Sequence, residues 1–478
     1  MGGAVWAVLE RVGAQGIQFL SMLFLARLLS PEEFALIAML TIFFALANTL
    51  VDSGFSQALI REDEISEEDK STTFFINFIT SLLMFGALWL SAPFIADFYE
   101  KPELIGLTRF MAFAPILFSF SIIQRAILSH QIDFKTQMLA NIGAAFLAGA
   151  IAIILAFYDF GVWALAVQYV CMALFTSIFF WVMNPWIPKS FIDKESFRKL
   201  FGFGSNILLS GLLESIFVHL YKLIIGKYFP AAMLGYYTQA DNFKNVASQN
   251  LASSFTKVTY PALSKVKNDK ERVHSAFRQI LLVTSYFIFP FMIGMMLVAD
   301  PMIVVLIGEK WAPVVPILQV LCLSGMIHHL HNANQNVLKV FGRSDLFLNL
   351  QVLKKVGVVI AIIVGLWYGF WGLIIGIVVS AYVGLIINMH YAKKVFGYTG
   401  LQQVKDLFPV LLLNAPMIIT VTLVHRFIHL SPVLDLIIMV VTGALSYVGI
   451  SLILKPESMK QVVYLLRPKF PILNHLKV

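Results

Sequence analysis

The sequence predicts an all-α integral membrane protein with about fourteen transmembrane helices. They are expected as two six-helix repeats followed by two further helices. Three observations lead there. The first is composition: 59% of the 478 residues are hydrophobic, 13% are charged, and the mean hydropathy is +0.81. A water-soluble core cannot absorb that much apolar surface, so lipid must be the solvent for most of it. The second is that apolar windows of about 20 residues recur along the chain, each long enough to cross about 30 Å of hydrocarbon as a helix. The third is internal similarity. Gly161-Val162-Trp163-Ala164-Leu165 and Gly369-Phe370-Trp371-Gly372-Leu373 lie 208 positions apart, and each opens an apolar run. Ala26-Arg27 to Phe34-Ala35 and Gly226-Lys227 to Leu234-Gly235 lie 200 apart, and each ends one run and begins another. A membrane chain built from matching halves is the signature of an alternating-access transporter.

The spans read in order as roughly 4–29, 34–55, 74–98, 104–127, 137–157, 161–183, 205–229, 231–259, 277–299, 313–338, 346–366, 370–391, 407–426 and 433–454. The eighth is polar on nearly every turn and alone would read as a helix lying on the surface. Its match to the second span at offset 200 makes it a membrane helix. The expected organisation is a first six-helix bundle over 1–183 and a cytoplasmic linker over 184–203. A second bundle then covers 204–392, and two extra helices with a basic cytoplasmic tail cover 393–478. Each half crosses an even number of times, so the repeat axis should lie along the membrane normal. Loop charge sets the orientation. Of the 35 Lys and Arg, only Arg27, Lys101, Lys227, Lys310 and Arg426 fall in loops of one side, whereas the other side's loops hold most of the rest, Arg125 among them. Both termini are therefore expected in the cytoplasm.

Charges inside spans cost about 2.5–3.5 kcal/mol each on insertion scales, so those present need water, a partner or a short reach to the interface. Arg11, Gln15 and Gln18 share one face of the first span at i, i+4, i+7, and Asn48, Asp52 and Ser56 share one face of the second. The seventh span carries Glu214, His219 and Lys222, the eighth Asp241, Lys244, Asn245, Ser248 and Gln249, and the tenth Ser324, His328, His331, Asn332 and Gln335. Spans 1, 2, 7 and 8 correspond by the repeat, so their polar faces point to a wet cavity between the halves. Bases outnumber acids within the spans: Arg11, Arg109, Lys222, Lys244, Lys257, Lys354 and Lys355 against Glu10, Asp52, Glu214 and Asp241. A net-cationic cavity attracts anions such as phosphates and repels organic cations. Arg109, Lys257, Lys354 and Lys355 sit near span ends and are expected to snorkel, and Glu10 to pair with a neighbouring helix.

Other functions are disfavoured. The basic residues sit in short loops, which argues against nucleic acid as a partner. Cys171 and Cys322 read as small buried hydrophobes. His328, His329 and His331 have no carboxylate or cysteine near them in sequence, so no metal is expected. The chain has no G-x-x-x-x-G-K-[ST] loop, since Gly226-Lys227-Tyr228 fails at its last position, and its outer loops are too short for a catalytic domain. Met1-Gly2-Gly3-Ala4-Val5-Trp6 has neither the basic lead of a signal peptide nor the Ser or Thr of a myristoylation signal. No enzyme and no cofactor are expected. A coupling ion, H⁺ or Na⁺, is left open, with the histidines or Glu214 as the groups that would carry a proton.

Several segments resemble a known family in order along the whole chain. They are Ala26-Arg27-Leu28-Leu29-Ser30-Pro31-Glu32-Glu33-Phe34, Asp52-Ser53-Gly54-Phe55, Leu234-Gly235-Tyr236-Tyr237, Tyr260-Pro261-Ala262-Leu263-Ser264 and Leu306-Ile307-Gly308-Glu309-Lys310-Trp311. They are similar to polysaccharide flippases of the Wzx type, the lipopolysaccharide or colanic-acid exporters of the multidrug/oligosaccharidyl-lipid/polysaccharide superfamily. One departure is the abrupt start, as though a basic cytoplasmic lead preceding Met1 were missing. The resemblance implies V-shaped paired bundles. It also implies flipping of a polyprenyl-diphosphate-linked oligosaccharide from the cytoplasmic to the outer leaflet of a bacterial inner membrane. Membrane lipids, a polysaccharide polymerase and glycosyltransferases are the implied partners. In that setting Arg11, Lys222 and Lys244 would hold the diphosphate, and Gln15, Gln18, Asn245 and Gln249 would bond sugar hydroxyls. Tyr221, Tyr236 and Tyr237 would stack on sugar faces. The alternatives are a cation-coupled multidrug exporter of the same superfamily, which should prefer acids in the cavity, and a membrane glycosyltransferase or polymerase, which should carry a large outer loop or an acidic metal motif.

Overall fold

A computed structural model describes residues 2–266, 269–428 and 430–466. The described residues form twenty α-helices and one 3₁₀ turn, with no strand among them. They run α1 (Gly2–Leu28), α2 (Pro31–Asp52), α3 (Phe55–Arg61), α4 (Glu67–Tyr99), α5 (Glu103–Met111), α6 (Phe113–His130), α7 (Phe134–Phe157), α8 (Val162–Met183), α9 (Lys194–Tyr228) and α10 (Ala231–Val266). They continue as α11 (Lys270–Leu297), α12 (Ala299–Ile307), α13 (Val314–Met326), α14 (His328–Val340), α15 (Ser344–Trp367) and α16 (Gly369–Phe396), then α17 (Gly400–Leu412), α18 (Ala415–Phe427), α19 (Pro432–Leu454) and α20 (Glu457–Leu466). Among the described residues, twelve helices, counting paired segments as one, are long and apolar enough to cross a membrane. The protein is a multi-pass membrane protein. The first and eighth expected spans are the helices α1 and α10, of 27 and 36 residues. They lie outside those twelve, so a total of fourteen crossings remains a proposal.

Helix starts follow local chemistry. Ser30 caps α2 in a reciprocal box, its Oγ accepting from Glu33 N (3.3 Å) while Glu33 Oε2 accepts from Ser30 N (2.6 Å), and Pro31 takes the first helical position. Ser66 with Asp69 and Thr399 with Gln402 repeat the device at α4 and α17. Three expected spans are interrupted. The fourth breaks at Ala112, where Pro115 on the first turn of α6 lacks an N–H, and the thirteenth breaks ahead of Pro416 for the same reason. The tenth breaks at Ile327, directly before the histidine run. The second span ends sooner than its pattern predicts: Ser53 and Gly54 both adopt left-handed conformations, and the chain turns into α3. That turn drives Phe55, Ala58 and Leu59 into a cluster with Phe74, Ile123, Ala126, Ile127 and Leu200.

By compactness the chain divides into Met1–Thr238 and Gln239–Val478. The helix α9 falls with the first unit because it packs along α2: Thr49 and Ser215 share a hydroxyl hydrogen bond of 3.1 Å. The boundary expected from the sequence repeat lies elsewhere, in 184–203. In the second unit Arg278 of α11 binds Glu457 of α20 in a bidentate pair, and its Nε lies 3.0 Å from Asp406 Oδ1 of α17. Asp406 also accepts from Tyr398, whose phenol is pushed up by burial and by that carboxylate.

A fully buried amide pair joins α14 to α17: Asn334 Nδ2 donates to Gln403 Oε1 (3.1 Å) and Gln403 Nε2 donates to Asn334 Oδ1 (3.0 Å). Gln403→Leu alone leaves Asn334 stranded and should destabilise by about 2 kcal/mol. Adding Asn334→Leu should recover most of that loss, because the double variant buries no orphaned amide. Thermal unfolding of the three proteins in detergent checks this, and additive losses would refute it.

Candidate functional site

In the first unit a cavity of about 470 Å³ is lined by α2, α3, α6 and α9. Asn48 and Asp52 enter it from α2, Ser56 and Gln57 from α3, Arg125 and Ser129 from α6, with Phe118, Ile122, Ile207 and Leu208 as apolar wall. The polar groups are pre-oriented from behind. Asn48 Nδ2 donates to Tyr169 Oη (3.0 Å), Ser56 Oγ donates to Asp52, and Thr49 is held by Ser215. Ser56 was expected on the same helix face as Asp52; it stands on α3 instead and reaches Asp52 around the left-handed turn. Arg125, expected in a loop, lines the cavity with its guanidinium carbon 5.8 Å from the ring centroids of both Phe118 and Phe180.

The other candidates of this unit are spread out. Gln15 is half-buried with an unpartnered Oε1, and Gln18 is exposed. Glu214 is exposed on α9, whereas His219 and Lys222 are half-buried. Tyr221 and Tyr237 are packed into the core, so of the three tyrosines only Tyr236 keeps a partly open ring. The side chains of Arg11 and Gln249 lie outside the described residues, as do those of Glu10 and Lys257.

In the second unit the candidates converge. Lys244 Nζ binds Asp241 Oδ1 at 2.6 Å, and Asn245 Nδ2 donates to the other oxygen at 2.9 Å. The stem of Lys244 crosses Gly325 of α13, where an added methyl would lie 3.1 Å from its Cγ. Lys354 of α15 lies against α16. Its stem and His331 meet over Gly384 of α16, so that an added methyl there would lie 3.4 Å from Lys354 Cε and 3.5 Å from His331 Cε1. Both lysines are within electrostatic range of His328. His331 is buried and accepts from Asn388 Nδ2 (2.6 Å). His329 bonds Ser285 (2.8 Å) and packs edge-on to Phe289, which makes it part of the core. Among the described residues no three His, Cys, Asp or Glu side chains gather in a form that could hold a metal ion. Lys244 and Lys354 thus both lie near His328, with Asp241 bound to Lys244 and His331 beside Lys354. The same unit has an apolar cavity of about 500 Å³ between α11, α12, α18 and α19, walled by Phe287, Phe291, Met302, Met417, Val440 and Val448 among others.

A family model for polysaccharide biosynthesis proteins matches residues 24–316. The chain belongs to that family. Among its relatives, the teichuronic acid biosynthesis protein TuaB of Bacillus subtilis is 28% identical over 348 residues, covering 72% of each chain. The lipopolysaccharide biosynthesis protein WzxC of Escherichia coli is 25% identical over 425 residues, covering 88% of this chain and 86% of that one. The fold of this family member is that of the lipid II flippase MurJ in its inward-closed conformation, with a TM-score of 0.76 at 17% identity over 94% of this chain and 98% of the other. A multidrug transporter of the MATE family in its inward-facing conformation is a second structural neighbour, with a TM-score of 0.60 at 18% identity over 81% of this chain and 98% of the other.

Proposed function

We propose that the protein flips a polyprenyl-diphosphate-linked oligosaccharide from the cytoplasmic to the outer leaflet of a bacterial inner membrane, with both termini in the cytoplasm. The observation that carries this reading is the cluster of Lys244, Lys354, His328 and His331 in the second unit. Two lysines and two histidines brought near one another in a low-dielectric setting favour a multiply charged anion such as a diphosphate. An organic cation would meet repulsion there. The apolar cavity between α11 and α19 supports the lipid half of the reading, because its wall offers a hydrocarbon chain nothing but carbon and sulfur to pack on at most positions. The named roles of TuaB and WzxC in polysaccharide biosynthesis agree with the sugar half. The flipped product would pass to a polymerase and glycosyltransferases.

The test uses the purified chain in liposomes with a fluorescent polyprenyl-diphosphate oligosaccharide and a membrane-impermeant quencher. The expected result is protein-dependent movement of label between quencher-accessible and protected pools. Failure to move the lipid under H⁺ or Na⁺ gradients, together with expulsion of an organic cation, would replace this reading with a drug exporter.

A further inference from the structure

The cavity of the first unit has a chemistry different from that of the cationic cluster, and the flippase reading above leaves it without an occupant. We infer that it is a saccharide subsite, which takes one or two uncharged pyranose units of the lipid-linked glycan. The inference deepens the flippase reading and names which part of the molecule recognises sugar.

Charge is the first ground. The cavity is lined by one carboxylate, Asp52, and one guanidinium, Arg125, which interact electrostatically. The two charges offset each other, so the site has no net pull on a diphosphate and a strong hydrogen-bonding capacity for a neutral ligand. The second ground is donor and acceptor inventory. Asp52 and Ser56, whose only O–H is given to Asp52, offer acceptors, Arg125 offers donors only, and Gln57 and Ser129 offer both. A carboxylate and a guanidinium facing one space match the alternating donor and acceptor character of neighbouring sugar hydroxyls.

Shape and rigidity are the third ground. The volume of about 470 Å³ falls within the range of small-molecule sites. Phe118, Ile122, Ile207 and Leu208 provide the apolar wall against which the C–H face of a pyranose would lie. Each principal polar group is also held by a neighbour: Asn48 by Tyr169, Asp52 by Ser56, and Arg125 beside Phe118 and Phe180. Such support lowers the cost of ordering the site when a ligand arrives.

The test is equilibrium binding of a free, neutral trisaccharide to the full-length protein in detergent, followed by titration calorimetry. Wild type should bind saturably. Asp52→Asn removes the charged acceptor at constant size and should weaken binding by about tenfold or more. Ile207→Trp, which fills the cavity without touching a polar group, should weaken it at least as much, and thermal unfolding of each variant identifies any that fails to fold. No saturable binding by wild type, or equal affinity in wild type and folded Asp52→Asn and Ile207→Trp, would overturn the subsite. The liposome assay separates this from the parent reading. Loss of movement for the sugar-bearing lipid, with bare polyprenyl diphosphate unaffected, supports the subsite. Equal loss for both lipids would assign Asp52 to another task and refute it. A wild type that binds trisaccharide but moves neither lipid would overturn the flippase reading while leaving the subsite standing.

Discussion

Lys354→Glu is expected to reduce transport of the polyprenyl-diphosphate oligosaccharide in liposomes at least a hundredfold, about 2.7 kcal/mol in barrier terms. The size follows from where the lysine sits. Its stem lies over Gly384 beside His331, its charge reaches His328 and His331, and Lys244 stands near His328 as well. Reversal replaces a positive charge beside two histidines with a negative one, so an incoming diphosphate meets repulsion where it had attraction. Lys354→Gln should lie between the two, and Lys354→Arg should retain most activity because the charge survives. Membrane insertion and thermal unfolding should be close to wild type in the Gln and Arg variants. Normal flipping by Lys354→Glu would remove the diphosphate from this cluster. A fall in Lys354→Arg as deep as that in Lys354→Glu would make shape, rather than charge, the reason.

The second large effect concerns the turn between α2 and α3. Gly54 has φ +70°, in the left-handed region, and a methyl added to it would lie 2.2 Å from the carbonyl oxygen of Gly204 on α9. Both contacting groups are backbone, so no side chain can swing away. Gly54→Ala therefore combines a left-handed penalty of about 1–2 kcal/mol with an overpacking cost of similar size, and should destabilise by about 3 kcal/mol. Gly342 is the control: its φ is +67° but nothing lies within 4 Å of the added methyl. Gly342→Ala should show the conformational penalty alone, about 1 kcal/mol. Thermal unfolding of both in the same detergent measures the difference. Equal losses would mean that the α3–α9 approach yields to a methyl and that the close packing is not required.

The same turn shows how far local pattern carries. Asp52-Ser53-Gly54-Phe55 stands out in the sequence as a motif, yet its apolar and polar spacing continues as if the helix ran on. The left-handed pair at Ser53 and Gly54 breaks the helix, and only the docking of Phe55 among Phe74, Ile123 and Leu200 gives that break a purpose. The Ser30-Pro31-Glu32-Glu33 segment is the opposite case: every partner in its capping box lies within three residues, so local chemistry sets the start of α2, three residues ahead of the apolar pattern's start at 34.

Arg125 and Lys354 mark the limit for the candidate site. Both lie toward the ends of apolar runs, where a boundary uncertain by a few residues cannot separate a loop or snorkelling base from one turned inward. Arg125 proves to line the first cavity, and Lys354 proves to stand beside His331. Tyr221 and Tyr237 err the other way: they lie on polar helices but are packed into the core. Asn48 was legible as a polar residue within a span, but its partner Tyr169 is 121 positions away and carries no local signal.

What the sequence alone determined is the membrane class, the helical content and the rough place of most long helices. Those properties rest on composition, on a period of 3.6 residues and on contacts within four positions, all of which are written along the chain. The pairing of Asp52 with Arg125 around one cavity, and of Lys354 with His331 over Gly384, was decided by tertiary structure. Which face of one helix meets which face of another depends on packing between distant segments, and an apolar run in lipid looks much the same from every side until a neighbour occupies one of them.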